Sequence, residues 1–171
     1  MNSNQLPISE YSAYHKTYIQ AIENVELIEE LEICLHDFIK FVQNIPMDKF
    51  DFRYAEGKWT IKDIIQHLID CKRIFGYRAL CVSRNDKTSL PGFEENDYVE
   101  NTDSNTRSIQ SLLSELAAVR ESTILLFKSF SVEQLMRIGI VNNNEISVRA
   151  IGFIVIGHQI HHQKIFEERY L

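Results

Sequence analysis

The stretch Val148–Glu168, VRAIGFIVIGHQIHHQKIFEE, decides how this chain is read. From Ala150 to Ile160 it is strongly apolar and carries no Asp, Glu, Lys or Arg, and Ser147 stands in front of it as a cap. Such a run predicts a helix buried in a protein core. Yet His158, His161 and His162 lie inside it. Buried imidazoles need partners, because an unsatisfied polar nitrogen away from water costs free energy. At 3.6 residues per turn His162 lies about 40° round the helix from His158, and His161 about 60° the other way. Either can therefore share a partner with His158, and two histidines at i and i+4 can offer nitrogens to one metal ion without bending the backbone.

Two ligands are too few for tight binding, so a third must come from another helix. His67 is the natural candidate. It sits in the run that starts at Thr60, where Thr60 and Asp63 form a capping-box pair ahead of Ile64, Ile65, Leu68, Ile69 and Ile74, and the helix is expected to reach about Arg84. A lone histidine on an apolar face is more often a hydrogen-bonded core residue than a ligand, and it is the clustered pair downstream that shifts the balance. Cys71 lies one turn beyond His67 and Asp70 three residues beyond it, so either could add a thiolate or a carboxylate. The ordinary reading is stronger for both: packing for the thiol, solvent or an arginine for the acid. His15 and His36 lack this context and read as surface residues.

The rest of the chain supplies further helices. Apolar residues recur at helical spacing from Ile19 to Ile45, with Pro46 as a stop, and again from about Ser104 to Ser129. Asn85–Asn101, with Asn-Asp and Leu-Pro-Gly-Phe, reads as a long loop. Ser131 with Gln134 resembles a capping box opening a short helix, and Arg137–Ser147 reads as two short extended pieces around Asn142-Asn143-Asn144. Four long helices without a strong strand pattern predict an all-α chain, a four-helix bundle, in one domain spanning 1–171.

Composition narrows the function. At 171 residues, with 44% hydrophobic and 25% charged residues, the chain has the make-up of an ordered globule rather than a disordered segment. A net charge of -6 argues against a nucleic-acid partner, which calls for a surplus of Lys and Arg. Cys34, Cys71 and Cys81 form an odd set without CxxC spacing, so a disulfide framework is not expected and a reducing compartment fits best. Neither a signal peptide nor a membrane span is evident, which points to a cytoplasmic protein with no membrane partner.

Three segments, KWTIKDIIQHLIDCKRIFGYRALCVSRND, LPGFEENDY and GHQIHHQKIFEERYL, are together similar to the DinB-like superfamily, which includes bacillithiol S-transferases and proteins named as metal-dependent hydrolases. The likeness runs from about Tyr54 to Leu171. It implies a four-helix bundle with a three-histidine site in which His67 matches the histidine of the second helix and His158 and His162 match the terminal HxxxH pair. It also implies one divalent metal ion, zinc or nickel foremost, with His161 as an extra ring nearby, and a homodimer.

Three neutral histidines leave a divalent ion with open positions, the pattern of catalytic rather than structural zinc. On zinc a bound water can reach a pKa of about 7, and a bound thiol is held as a nucleophilic thiolate. The resemblance favours the second chemistry, a small thiol attacking an electrophile; a metal-dependent hydrolase and a noncatalytic metal-binding module are the alternatives. No Ser, Cys or Lys stands in a covalent-catalysis motif, so the chemistry falls to the metal and no general base is named. Tyr77, Arg78 and Arg84 follow His67 and could face the mouth of the site, where a cation would orient an anionic thiol or substrate; surface pairing with the acids of Glu94–Asp97 is the plainer role. Trp59 reads as a packing anchor.

Overall fold

Seven helices and one hairpin make up the computed structural model, which describes residues 1–171. They are α1 (Lys16–Gln20), α2 (Leu27–Gln43), α3 (Ile61–Ser83), α4 (Glu95–Glu100), α5 (Ile109–Lys128), α6 (Val132–Leu135), β1 (Ile138–Val141), β2 (Asn144–Ser147) and α7 (Val148–Arg169). The four long helices α2, α3, α5 and α7 form a bundle in which α3 packs on both α5 and α7, and α2 on the same two.

The starts of these helices follow from their caps. Thr60 Oγ1 accepts from Asp63 N at 3.0 Å while Asp63 Oδ2 accepts from Thr60 N at 2.9 Å, the reciprocal pair expected from the sequence. Asp63 also accepts from Ser104 Oγ and Asn105 Nδ2, so the cap of α3 holds the segment leading into α5. Ser147 Oγ accepts from Ala150 N at 3.1 Å and opens α7. The hairpin turns on Asn142 and Asn143, whose φ values of 47° and 62° suit the tight turn that right-twisted strands require.

Three sequence expectations need correction. The helix expected over Ile19–Ile45 is two elements, because Glu26 caps a new start: its carboxylate accepts from Ile28 N and Glu29 N and pairs with the N-terminal ammonium. The loop expected over Asn85–Asn101 contains α4, with Glu94 accepting from Asn96 N at its head. The third long helix starts at Ile109 rather than near Ser104, behind a turn of 3-10 helix at Ser104–Thr106.

The core divides in two. One apolar cluster gathers Leu27 and Leu31 of α2, Phe75 and Val82 of α3, Phe127 of α5 and Phe153 and Ile154 of α7. The other gathers Phe38 and Val42, Ile61, Ile65 and Leu68, Leu112 and Leu116, and Phe166. The order of these residues along each helix shows that α2 and α7 run one way and α3 and α5 the other. Neighbouring parallel helices need a long connection, which residues 84–108 provide. Between the two clusters lies a belt of buried polar side chains: His67 and Lys72 of α3, Arg120 of α5, and His158, Gln159 and His162 of α7. Arg120 is wholly buried without a carboxylate, and its two terminal nitrogens donate to Leu31 O, Val155 O, Cys34 Sγ and Gln159 Oε1, thereby joining α2, α5 and α7.

Candidate metal centre

The belt brings the three predicted histidines together. His67 Nε2 and His162 Nε2 each lie 3.1 Å from His158 Nε2, and all three rings are buried. Helix periodicity places His158 and His162 on one stripe of α7, and the packing of α3 against α7 sets His67 opposite them. His158 Nε2 offers either one proton or one in-plane lone pair, so it cannot satisfy two facing nitrogens by ordinary hydrogen bonding. A cation at the junction would accept all three lone pairs. Ideal tetrahedral zinc, with Zn–N of about 2.0–2.1 Å, separates its nitrogens by about 3.3 Å, close to the two separations from His158 Nε2. The donor set therefore fits a divalent ion.

Electrostatics keep these donors in the ligating form. Burial, with help from Lys72, holds His67 down to about 4, and burial with the neighbouring histidines pushes His158 and His162 well below the usual imidazole range. Lys72 itself is fully buried, its Nζ has no partner, and burial drives it toward the neutral amine. Trp59 stands 4.9 Å from the His67 ring, centroid to centroid, and its carbonyl accepts from the Tyr170 hydroxyl; it anchors packing, as expected, and does so directly against a site ring. His162 Nδ1 is buried without a hydrogen-bond partner, so packing between His67 and His161 fixes this ring.

Cys71 is closer to the site than its sequence context suggests. Ligand atoms of His67, Cys71 and His158 lie within 4.8 Å of one another. The sulfur, however, is 3.6 Å from both Nδ1 and Nε2 of His67, which puts it off the lone-pair axis of either nitrogen. It is also pushed up to about 12 by burial. Tetrahedral zinc, with Zn–N of about 2.0–2.1 Å and Zn–S of about 2.3 Å, would set its nitrogen and sulfur ligands about 3.6 Å apart, so the geometry leaves Cys71 as well as His162 within reach of an ion held by His67 and His158. Asp70 takes no part: it accepts from Gln66 Nε2 and faces Arg73. His161 is half-buried and packs against Tyr18 and His162.

A cleft of about 220 Å³ leads to the histidines, with His158 and Cys71 at its floor. Phe75 and Arg78 continue the stripe of α3 above them, Glu95 and Phe93 come from the α3–α4 connection and α4, Asn142 and Asn144 from the hairpin, and Tyr14, His15 and Tyr18 from the N-terminal segment. Leu90 N donates to Ile140 O and Asn142 N to Leu90 O, each at 2.9 Å, which pins the connection to the hairpin. Of the three side chains expected near the mouth, Arg78 lines the cleft, Tyr77 lies on the outer surface of α3, and Arg84 packs over Phe130 instead.

His15 is not the surface residue its isolation implied. It lines the cleft, its Nδ1 is 3.0 Å from Ser12 Oγ, and burial, with Arg78, holds it down to about 4. The signal was present: Tyr11, Tyr14, His15 and Tyr18 recur at i, i+3, i+4 and i+7, the spacing of a helical face. Gly157 explains how this segment reaches the site, since a Cβ there would stand 2.1 Å from Tyr18 O. Only glycine lets α1 lie against α7 with the Tyr18 ring 5.1 Å from His158.

The DinB superfamily profile matches residues 30–166, which include all three histidines of the junction. The chain belongs to the DinB superfamily. Among proteins similar to this DinB chain, one from Oceanobacillus iheyensis named "Putative metal-dependent hydrolase" is 21% identical over 159 residues, 92% of this chain and 90% of its own. A Bacillus cereus protein with the same name is 22% identical over 135 residues, 79% of this chain and 76% of its own. The solved structure of YfiT from Bacillus subtilis, titled "a probable metal-dependent hydrolase with an unusual four-helix bundle topology", matches this DinB fold with a TM-score of 0.73 and 20% identity, covering 95% of this chain and 93% of that one. No helix of the chain is long and apolar enough to cross a membrane.

Proposed function

We propose that this DinB protein holds one divalent ion, zinc or nickel, through His67, His158 and His162, and uses it to transfer a small thiol to an electrophile. The convergence of three buried Nε2 atoms, one of which belongs to a histidine on the floor of the cleft, carries this reading. A divalent ion supplies Lewis acidity, which lowers the pKa of a thiol or water in an open position. The chain's own residues position the ion and shape access to it: Tyr18 and Phe75 wall the floor with aromatic edges and limit water there. A thiol, already within reach of ionisation near neutral pH, needs no further base once an ion polarises it.

Metal-dependent hydrolysis is the second reading, favoured by the names of both bacterial relatives and by Glu95 and His15 on the cleft wall. Either is able to take up a proton from water, although Glu95 is already an acceptor for Tyr14. A homodimer in the cytoplasm completes the proposal, with the exposed Tyr77 and Leu80 of α3 as apolar surface that a second copy would cover.

Metal-reconstituted protein would be assayed for loss of a thiol against chlorodinitrobenzene and, separately, for hydrolysis of p-nitrophenyl acetate. Thiol consumption abolished by chelation supports transfer. Ester hydrolysis without thiol consumption selects the second reading, and neither activity in metal-loaded protein contradicts both.

A further inference from the structure

We propose that Arg78 is the anion-recognition residue of the cleft, so that the substrate carries a carboxylate, phosphate or similar anionic group at a distance from its reacting atom. This rests on the metal-centre reading for the position of the reacting end.

His67, Cys71, Phe75 and Arg78 follow one stripe of α3, and the rise from Cys71 to Arg78 is about 10 Å along the helix. A long side chain on a helix leans back over the turn N-terminal to it, which aims Arg78 down the cleft toward the histidines. The side chain is only 7% exposed. Nη2 donates to Pro91 O at 2.7 Å, and this is its one hydrogen bond within the protein. Phe75 and Phe93 flank the guanidinium at 5.9 and 5.6 Å, fixing its plane by packing.

No carboxylate lies within ion-pair distance of Arg78, whereas the equally buried Arg149 pairs with Glu10 and the buried Arg120 makes four hydrogen bonds to neutral acceptors. Glu95 shares the cleft but is engaged by Tyr14. A largely desolvated cation with free donors and no counter-ion attracts an anion from solution, and a guanidinium fork suits an oxyanion best. Asn142 and Asn144 also line the cleft, and the Asn142 side-chain amide can add a donor there, while Asn144 Nδ2 already donates to Asn142 O.

The test compares 6-mercaptohexanoate with 6-mercaptohexanol, two thiols differing only in the distal charge, titrated calorimetrically into metal-free and cobalt-loaded protein. Wild-type protein should bind the carboxylate at least tenfold more tightly. Arg78→Gln should erase that preference while leaving cobalt content and the affinity for the alcohol unchanged, and Arg78→Lys should restore part of it. Equal affinities in the wild type, or equal weakening of both ligands in Arg78→Gln at unchanged melting temperature, would overturn the assignment. Failure to take up cobalt would instead defeat the metal-centre reading, and the metal-free titration then decides Arg78 by the same comparison.

Discussion

The Nε2 atoms of His67 and His158 lie 3.1 Å apart although 91 positions separate the two residues in the chain. Helices α3 and α7 are held in that register by apolar clusters above and below the polar belt. The energetic cost of burying the three histidines of the belt is what the metal-centre reading accounts for, since an ion would satisfy three imidazoles at once.

Gly157→Ala tests the close approach of α1. A methyl group placed 2.1 Å from Tyr18 O forces the N-terminal segment off α7. The expected loss is about 3 kcal/mol, at the upper end for overpacking. Thermal melts would read it, and a variant as stable as the wild type would show that α1 is not pinned there.

Arg149 and Glu10 form a buried ion pair between α7 and the N-terminal segment. Burial raises Glu10, but its hydrogen bonds to Arg149 and Ser147 more than offset this and keep the carboxyl below its usual range. Glu10→Gln leaves the guanidinium without its counter-charge and should cost about 3 kcal/mol. It should also increase hydrogen exchange in residues 11–20, which carry Tyr14, His15 and Tyr18. Unchanged exchange would mean that this pair does not hold the cleft wall.

Acid should destabilise the metal-free protein. His67 is held to about 4 in the fold against 6.5 for a free imidazole, so the unfolded chain binds the extra proton first. Its contribution is therefore complete above about pH 6.5 and is lost as pH falls toward 4, on the order of 2 kcal/mol at pH 5. His158 and His162 shift in the same direction. Denaturant melts between pH 7 and 5 would check this, and a flat profile would contradict the neutral-histidine belt.

Trp59 is the only tryptophan, and its ring lies 4.9 Å from His67. Titrating zinc into metal-free protein should change its fluorescence with a one-to-one endpoint, and His67→Ala should abolish the change. An endpoint preserved in that variant would place the ion elsewhere.

The long helices were legible because periodicity and capping are local: the Thr60–Asp63 box and the Ser147 cap appear where the sequence put them. The break before Leu27 was not, because the apolar spacing continues through it and only the carboxylate of Glu26 marks the new start. The meeting of His67, His158 and His162 was inferred from apolar context and resemblance, and the fold supplies the distances. Of the cleft walls only Arg78 was legible, because the others join segments remote in sequence. Gly157 shows why: its role depends on the backbone of Tyr18, which no local pattern reveals.

The most direct test is elemental analysis of the untagged protein beside His67→Ala, His162→Ala, Cys71→Ala and His161→Ala variants prepared identically. The account predicts close to one divalent ion per chain in the wild type, retained in the Cys71 and His161 variants and lost in the other two. Retention after His67→Ala, or loss with Cys71→Ala as complete as with His162→Ala, would contradict the three-histidine centre.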